Sequence, residues 1–76
     1  MSGILKRSIM IAGHRTSISV EQPFWDQLKE IAACQGLSTA AMIAAIDEKR
    51  GRNNLSSAIR LHVLATLLER VKPQTK

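Results

Sequence analysis

From Arg15 to Val20 the chain alternates, with polar Arg15, Ser17 and Ser19 interleaved with Thr16, Ile18 and Val20. Alternation at period two marks a strand with one buried face, so the pattern predicts a strand over 15–20. At Pro23 the period changes. Phe24, Leu28 and Ile31, flanked by Trp25 and Ala32, recur at helical spacing as far as Gly36, which predicts a helix over 22–35. Pro23 suits a first helical turn, where its missing N–H costs nothing. Ser19 and Gln22 have the spacing of a capping box, and Gly36 supplies a C-terminal stop. Upstream, K-R-S-I-M-I-A sets Ile9 and Ile11 on one face against Ser8 and Met10, a second strand over 6–11. Ala12-Gly13-His14-Arg15 reads as a tight turn with Gly13 at positive φ, folding 6–11 onto 15–20 as a hairpin. A basic arm that orders only on a partner is the alternative for residues 1–12, and residues 1–5 read as loose in either case.

Downstream, Ser38 is a natural N-cap for a helix over 39–49 anchored by Met42, Ile43 and Ile46, with alanines on the faces between them. Gly51 ends it. Asn53 or Asn54 caps a third helix over 54–71, ahead of Pro73 and a polar tail over 72–76. The apolar residues of this last helix cover more than one face, so it needs two partners, one of them a candidate second subunit. A strand-containing, mostly helical single domain over 1–76 follows.

Composition sharpens the picture in two ways. At 76 residues a single core gives marginal stability, and the lone Cys34 allows no internal disulfide. Two scattered histidines offer no metal-ligand spacing, and no cofactor motif, paired carboxylates or Gly-rich phosphate loop appears, so neither metal nor cofactor nor enzyme chemistry is expected. Oligomerisation is the remaining staple. Cys34 itself reads as a small buried hydrophobe, and a free thiol points to the cytoplasm. No stretch approaches the roughly 20 apolar residues of a membrane span. The net charge of +5 is uneven: Lys6, Arg7 and Arg15 stand without an acid in 1–20, the middle is acidic, and seven basic side chains face Glu48 and Glu69 in 48–76. Such a layout suits a polyanion such as nucleic acid, although solubility alone can account for it.

The strand T-S-I-S-V, the helix F-W-D-Q-L-K-E-I-A and the restart G-L-S-T-A-A-M-I, in this order and at these distances, resemble the ribbon-helix-helix family, the Arc-like dimeric repressors. With K-R-S-I-M-I-A-G-H-R ahead and N-L-S-S-A-I-R-L-H-V-L behind, the chain looks like a small bacterial subgroup carrying an extra N-terminal segment and a third helix. The resemblance implies an intertwined homodimer whose core comprises Ile18, Val20, Phe24, Leu28, Ile31, Met42, Ile43 and Ile46 of each chain, because a monomer of the family lacks a closed core. It implies double-stranded DNA as partner, with an antiparallel ribbon in the major groove and Arg15, Ser17 and Ser19 facing the bases. It further implies a phosphate at the start of the second helix, on Ser38 and Thr39, while Lys6 and Arg7 read as phosphate contacts by their charge.

Two features bear on that reading. Serine discriminates poorly between bases, so Arg15, which can make a bidentate contact to guanine, carries most of the readout. If 6–11 pairs with the ribbon of a dimer, four strands at about 4.8 Å spacing span about 14 Å, wider than a major groove of about 12 Å. Either residues 6–12 swing aside or the widened sheet serves another end. Hence two further function classes stand beside sequence-specific transcriptional regulation: a protein-interaction module, as in an antitoxin or adaptor, and a small-ligand site near Gly13, His14 and Arg15.

Overall fold

A computed structural model describes residues 4–71, as β1 (Ile4–Ile11), β2 (His14–Glu21), α1 (Gln22–Cys34), α2 (Thr39–Lys49) and α3 (Leu55–Val71). The mostly helical architecture with one antiparallel ribbon is the one the periodicity predicts, with boundaries within two residues of those expected. The difference lies at the N-terminus, where Ile4 and Leu5 are part of β1 rather than of an arm. The arm over 1–3 and the tail over 72–76 lie outside the described residues.

β1 and β2 pair with each other. The two-residue connection Ala12-Gly13 holds φ at 48° and 80°, the positive values at both central positions that a type I′ hairpin turn requires. That turn fixes the register, with Ile11 opposite His14, Ile9 opposite Thr16, Arg7 opposite Ile18 and Leu5 opposite Val20. The partner that β2 needs is therefore supplied within its own chain, by β1.

α1 starts on Glu21, which makes no side-chain cap, with Pro23 in the first turn. The Ser19–Gln22 capping box does not form, because Ser19 is still part of β2, the N-cap position falls on Glu21, and the Gln22 amide is engaged by Arg7 and Asp26. α1 closes in a Schellman turn: Leu37 N–H donates to Ala32 O (2.9 Å), Gly36 N–H to Ala33 O (3.0 Å), and Gly36 takes φ 71°. Ser38 then caps α2, its Oγ accepting from Ala41 N–H at 3.0 Å. Asn54 caps α3 by accepting from Ser57 N–H at 2.8 Å.

The core gathers under the inner face of the hairpin. Ile18 and Val20 of β2, Leu28 and Ile31 of α1, Met42, Ile43 and Ile46 of α2 are buried within one chain, with Phe24 and Trp25 half-buried against them. α3 contributes Ala58, Ile59 and Val63 to the same cluster. Seven of the eight residues assigned to a dimer core are thus enclosed by a single chain, because the third helix covers what a second subunit would otherwise cover. Cys34 differs from expectation: it is exposed, since it lies about a third of a turn from the Leu28–Ile31–Ala32 stripe that faces the core.

Candidate nucleic-acid interface

Residues directly opposite in an antiparallel ladder share a face. The register therefore sets Lys6 beside Ser19, Ser8 beside Ser17 and Met10 beside Arg15 on the outer face of the hairpin. Lys6, Ser8, Met10, Arg15 and Ser17 are exposed there, and Ser19 is half-buried. Ser8 and Met10 are additions that the alternation of β2 alone does not reveal; the two-residue turn, which fixes the register, is the signal that brings them in.

Arg7 stands on the other face, opposite buried Ile18. Its guanidinium lies 4.4 Å from the centroid of the Trp25 ring and Nη2 donates to Gln22 Oε1 at 2.8 Å. Gln22 in turn donates to Asp26 Oδ1 at 2.8 Å, so Arg7 anchors β1 to the start of α1. Lys6 is the cation of that pair that remains on the outer face.

The edge of β2 away from β1 is partly closed. In this register Arg15, Ser17 and Ser19 aim their backbone groups at that edge. Ser19 N–H donates to Ser56 Oγ (2.9 Å), and Ser19 O accepts from Arg60 Nη2 (2.9 Å). Arg60 Nε also donates to Glu21 Oε1 at 2.9 Å, forming an ion pair. α3 thus caps the ribbon edge at Ser19 and leaves Arg15 and Ser17 at its open end. In the sequence Arg60 stands on a polar edge of the third helix and Ser56 at its start. Only their i, i+4 spacing hints at a shared face, and nothing local says which strand that face meets.

The hydrogen bond from Arg60, with Glu21's own backbone N–H and the nearby positive charge, holds the Glu21 carboxyl below its ordinary value of 4.5. A carboxylate whose pKa is lowered by folding stabilises the fold above its unfolded-state pKa, and that contribution is lost as pH falls through the lowered value. Acidification below about 4.5 should therefore loosen the α3 cap on β2. In urea titrations between neutral and acid pH, Glu21→Gln should lower the midpoint at pH 7 and remove this part of the acid sensitivity. An unchanged acid profile would show that the pair contributes nothing.

At α2, Ser38 is exposed and uses its hydroxyl on Ala41, while the N–H groups of Thr39 and Ala40 have no acceptor among the described residues. They are the donors a helix N-terminus offers an anion. Near the turn, a hollow of about 210 Å³ is lined by His14, Arg15, Thr16, Asp47 and Arg50, with Asp47 already paired to Arg50. It is smaller than ordinary small-molecule sites of roughly 300–1,000 Å³, which disfavours the ligand reading. Among the described residues no group of three or more His, Cys, Asp or Glu side chains could hold a metal ion, and no helix is long and apolar enough to cross a membrane.

Residues 4–67 match the ribbon-helix-helix domain, and the chain is a member of that family of DNA-binding proteins, which includes regulators and antitoxins and is typically non-catalytic. Among solved structures the chain is similar to an uncharacterized protein from Bordetella pertussis Tohama I, at 32% identity and a TM-score of 0.77. The similarity covers 90% of this chain and 58% of that one, so the chain spans less than two thirds of its structural relative. No curated protein matches it.

Proposed function

We propose that this protein is a homodimeric, sequence-specific DNA-binding protein, a cytoplasmic transcriptional regulator, that sets the outer face of its hairpin in the major groove. The observation that carries the reading is the cross-strand register, which gathers Lys6, Ser8, Met10, Arg15 and Ser17 on one exposed two-stranded face. A two-stranded ribbon is the width the groove admits, so an intact hairpin removes the obstacle that a four-stranded sheet raises. Arg15 reads guanine, Ser17 and Ser19 make weaker polar contacts, Met10 offers an apolar surface to a thymine methyl, and Lys6 pairs with phosphate. The N-terminus of α2 at Ser38 and Thr39 holds a second phosphate. The exposed Cys34 thiol fits a reducing compartment.

Binding to genomic DNA fragments at about 100 mM salt tests this. Arg15→Ala should cost about tenfold on the preferred sequence, the scale of one bidentate guanine contact, and level the preference. Lys6→Ala should weaken all sequences alike. Absence of binding even at low salt would end the regulator reading in favour of the interaction module, the antitoxin or adaptor class, for which the apolar outward face of α3 speaks.

A further inference from the structure

Between α2 and α3 lies a groove of about 350 Å³. It opens where the two helices present the small Ala45 and Ala58, with buried Met42 and Ile46 beside them. Leu37 and Leu61 line it as well, yet stay 38% and 56% exposed instead of closing over the gap. Its size falls at the lower end of ordinary small-molecule sites, roughly 300–1,000 Å³, unlike the hollow at the turn. No residue of the hairpin lines it, so the groove is separate from the outer ribbon face.

Polar groups stand at one end. Met42, Ala45, Ile46 and Lys49 recur at helical spacing along one side of α2. The groove therefore runs about 10 Å along that helix, from apolar Met42 to Lys49 and Arg50. Arg50 is braced, with Nε donating to Asp47 Oδ1 at 2.5 Å and Nη1 to Asn53 O at 2.6 Å. Its Nη2 makes no hydrogen bond among the described residues. Lys49 is exposed and has neither ion pair nor hydrogen bond among the described residues. Its charge suits the negative end of α2 and remains open to a further anion. The lining residues include no carboxylate, and Asp47 balances Arg50, which leaves Lys49 as the uncompensated charge of the groove. His62 is in the α3 wall, its Nε2 shielded from solvent without a hydrogen-bond partner, a condition that folded proteins seldom leave unmet.

We infer that this groove binds a small organic monocarboxylate. The apolar body lies against Met42, Ile46, Leu37 and Leu61, and the carboxylate accepts from Lys49 Nζ and Arg50 Nη2. Charge and shape together select that class. A cationic ligand would meet Lys49 and Arg50 with no acid in the walls to offset them. A phosphate ester would bring a second negative charge for which the groove has no second free cation. A neutral apolar molecule would leave the Lys49 end unused. The run of about 10 Å along one helix suits an extended acyl chain better than a single ring. A docked helix is about 10–12 Å across with its side chains, too broad to enter a groove of this size. This ligand site is independent of the DNA-binding reading, since none of Lys6, Arg15 and Ser17 takes part in it.

Titration of the full chain with octanoate at neutral pH, followed by methyl and imidazole NMR signals, tests the site without DNA. Octanoate should shift the methyl signals of Leu37, Met42 and Leu61 saturably, together with the ring of His62. Octanol and octylamine, of matched chain length, should bind at least about fivefold more weakly, the scale of one partly exposed ion pair. Lys49→Ala, at an exposed position that the fold does not need, should lose about the same factor for octanoate and nothing for octanol. Ala45→Leu should fill the groove and abolish the shifts while circular dichroism keeps the helical signal. Equal binding of octanoate and octanol, or an unchanged affinity in Lys49→Ala, would overturn the carboxylate assignment. Saturable shifts confined to residues outside the groove, or none at all, would overturn the site. Intermolecular contacts to the Leu61 and Met42 methyls in the free protein would show the groove already filled by another chain, and an acidic amphipathic peptide that binds where octanoate does not would give it to a protein partner; either result overturns the inference and leaves the DNA reading untouched.

Discussion

Ile59→Ala should lower the unfolding free energy by about 3 kcal/mol, within the range of about 2–5 kcal/mol for truncating a buried isoleucine or leucine. Ile59 is wholly buried and joins α3 to the cluster built by Ile18, Leu28, Ile31 and Ile43. Removing its branched side chain subtracts transfer free energy and leaves a void that three other elements cannot all close around. For a chain of this length total stability is of order 4–11 kcal/mol, scaling the usual value per residue, so the loss is a large share of it. The thermal midpoint should fall by on the order of 15 °C. Leu64→Ala, two residues short of the next helical turn and on the opposite face, should cost far less, because its exposure is 49% before any substitution. Urea titration of the two variants side by side gives the measurement. Near-equal small losses would mean that α3 is an accessory rather than the lid of the core.

The packing of that lid is the part of the fold that local pattern does not reveal. Alternation over Arg15–Val20 and the helical recurrence of Phe24, Leu28 and Ile31 are local properties, and each element they mark is present in the fold. The hairpin, too, was legible, because Ala12-Gly13 is short enough to leave one register. What the sequence does not carry is which surfaces meet at long range. Arg7 sits in a basic pair and looks solvent-bound, yet the register turns it inward onto Trp25. Ser56 and Arg60 look like a cap and a polar flank, yet they satisfy the backbone of Ser19, 37 and 41 residues away. Cys34 has the composition of a core residue and the phase of a surface one. The candidate base-facing residues Arg15 and Ser17 stand exposed because period two forces it, while the half-burial of Ser19 depends on α3 and could not be read locally.

Raising salt from 50 to 200 mM should weaken DNA binding by roughly a hundredfold, the factor expected when about four cationic side chains, on phosphate or in the groove, displace condensed counterions at a slope near −0.9 each. The count comes from the outer face of the hairpin. Arg7 is withdrawn to Trp25 and Arg60 is held by Glu21, which leaves Lys6, at the phosphate, and Arg15, whose charge displaces counterions from the groove as it meets guanine, as the cations each copy can offer there. Two copies supply the four. The N-terminus of α2 adds hydrogen bonds through neutral N–H groups and so adds affinity with little further salt dependence. Lys6→Ala in both copies should halve the slope, reducing the same salt step to roughly tenfold, without altering the ratio between preferred and unrelated sequences. Arg15→Ala should instead collapse that ratio, because guanine recognition is lost along with the charge. Fluorescence anisotropy with one preferred and one scrambled duplex, each titrated across the salt range, separates the two effects. A slope of wild type close to zero would mean that the basic face does not meet the backbone at all. A slope well above four would bring in the basic side chains of the C-terminal third, of which Lys49 and Arg50 stand at the α2–α3 groove rather than on the ribbon.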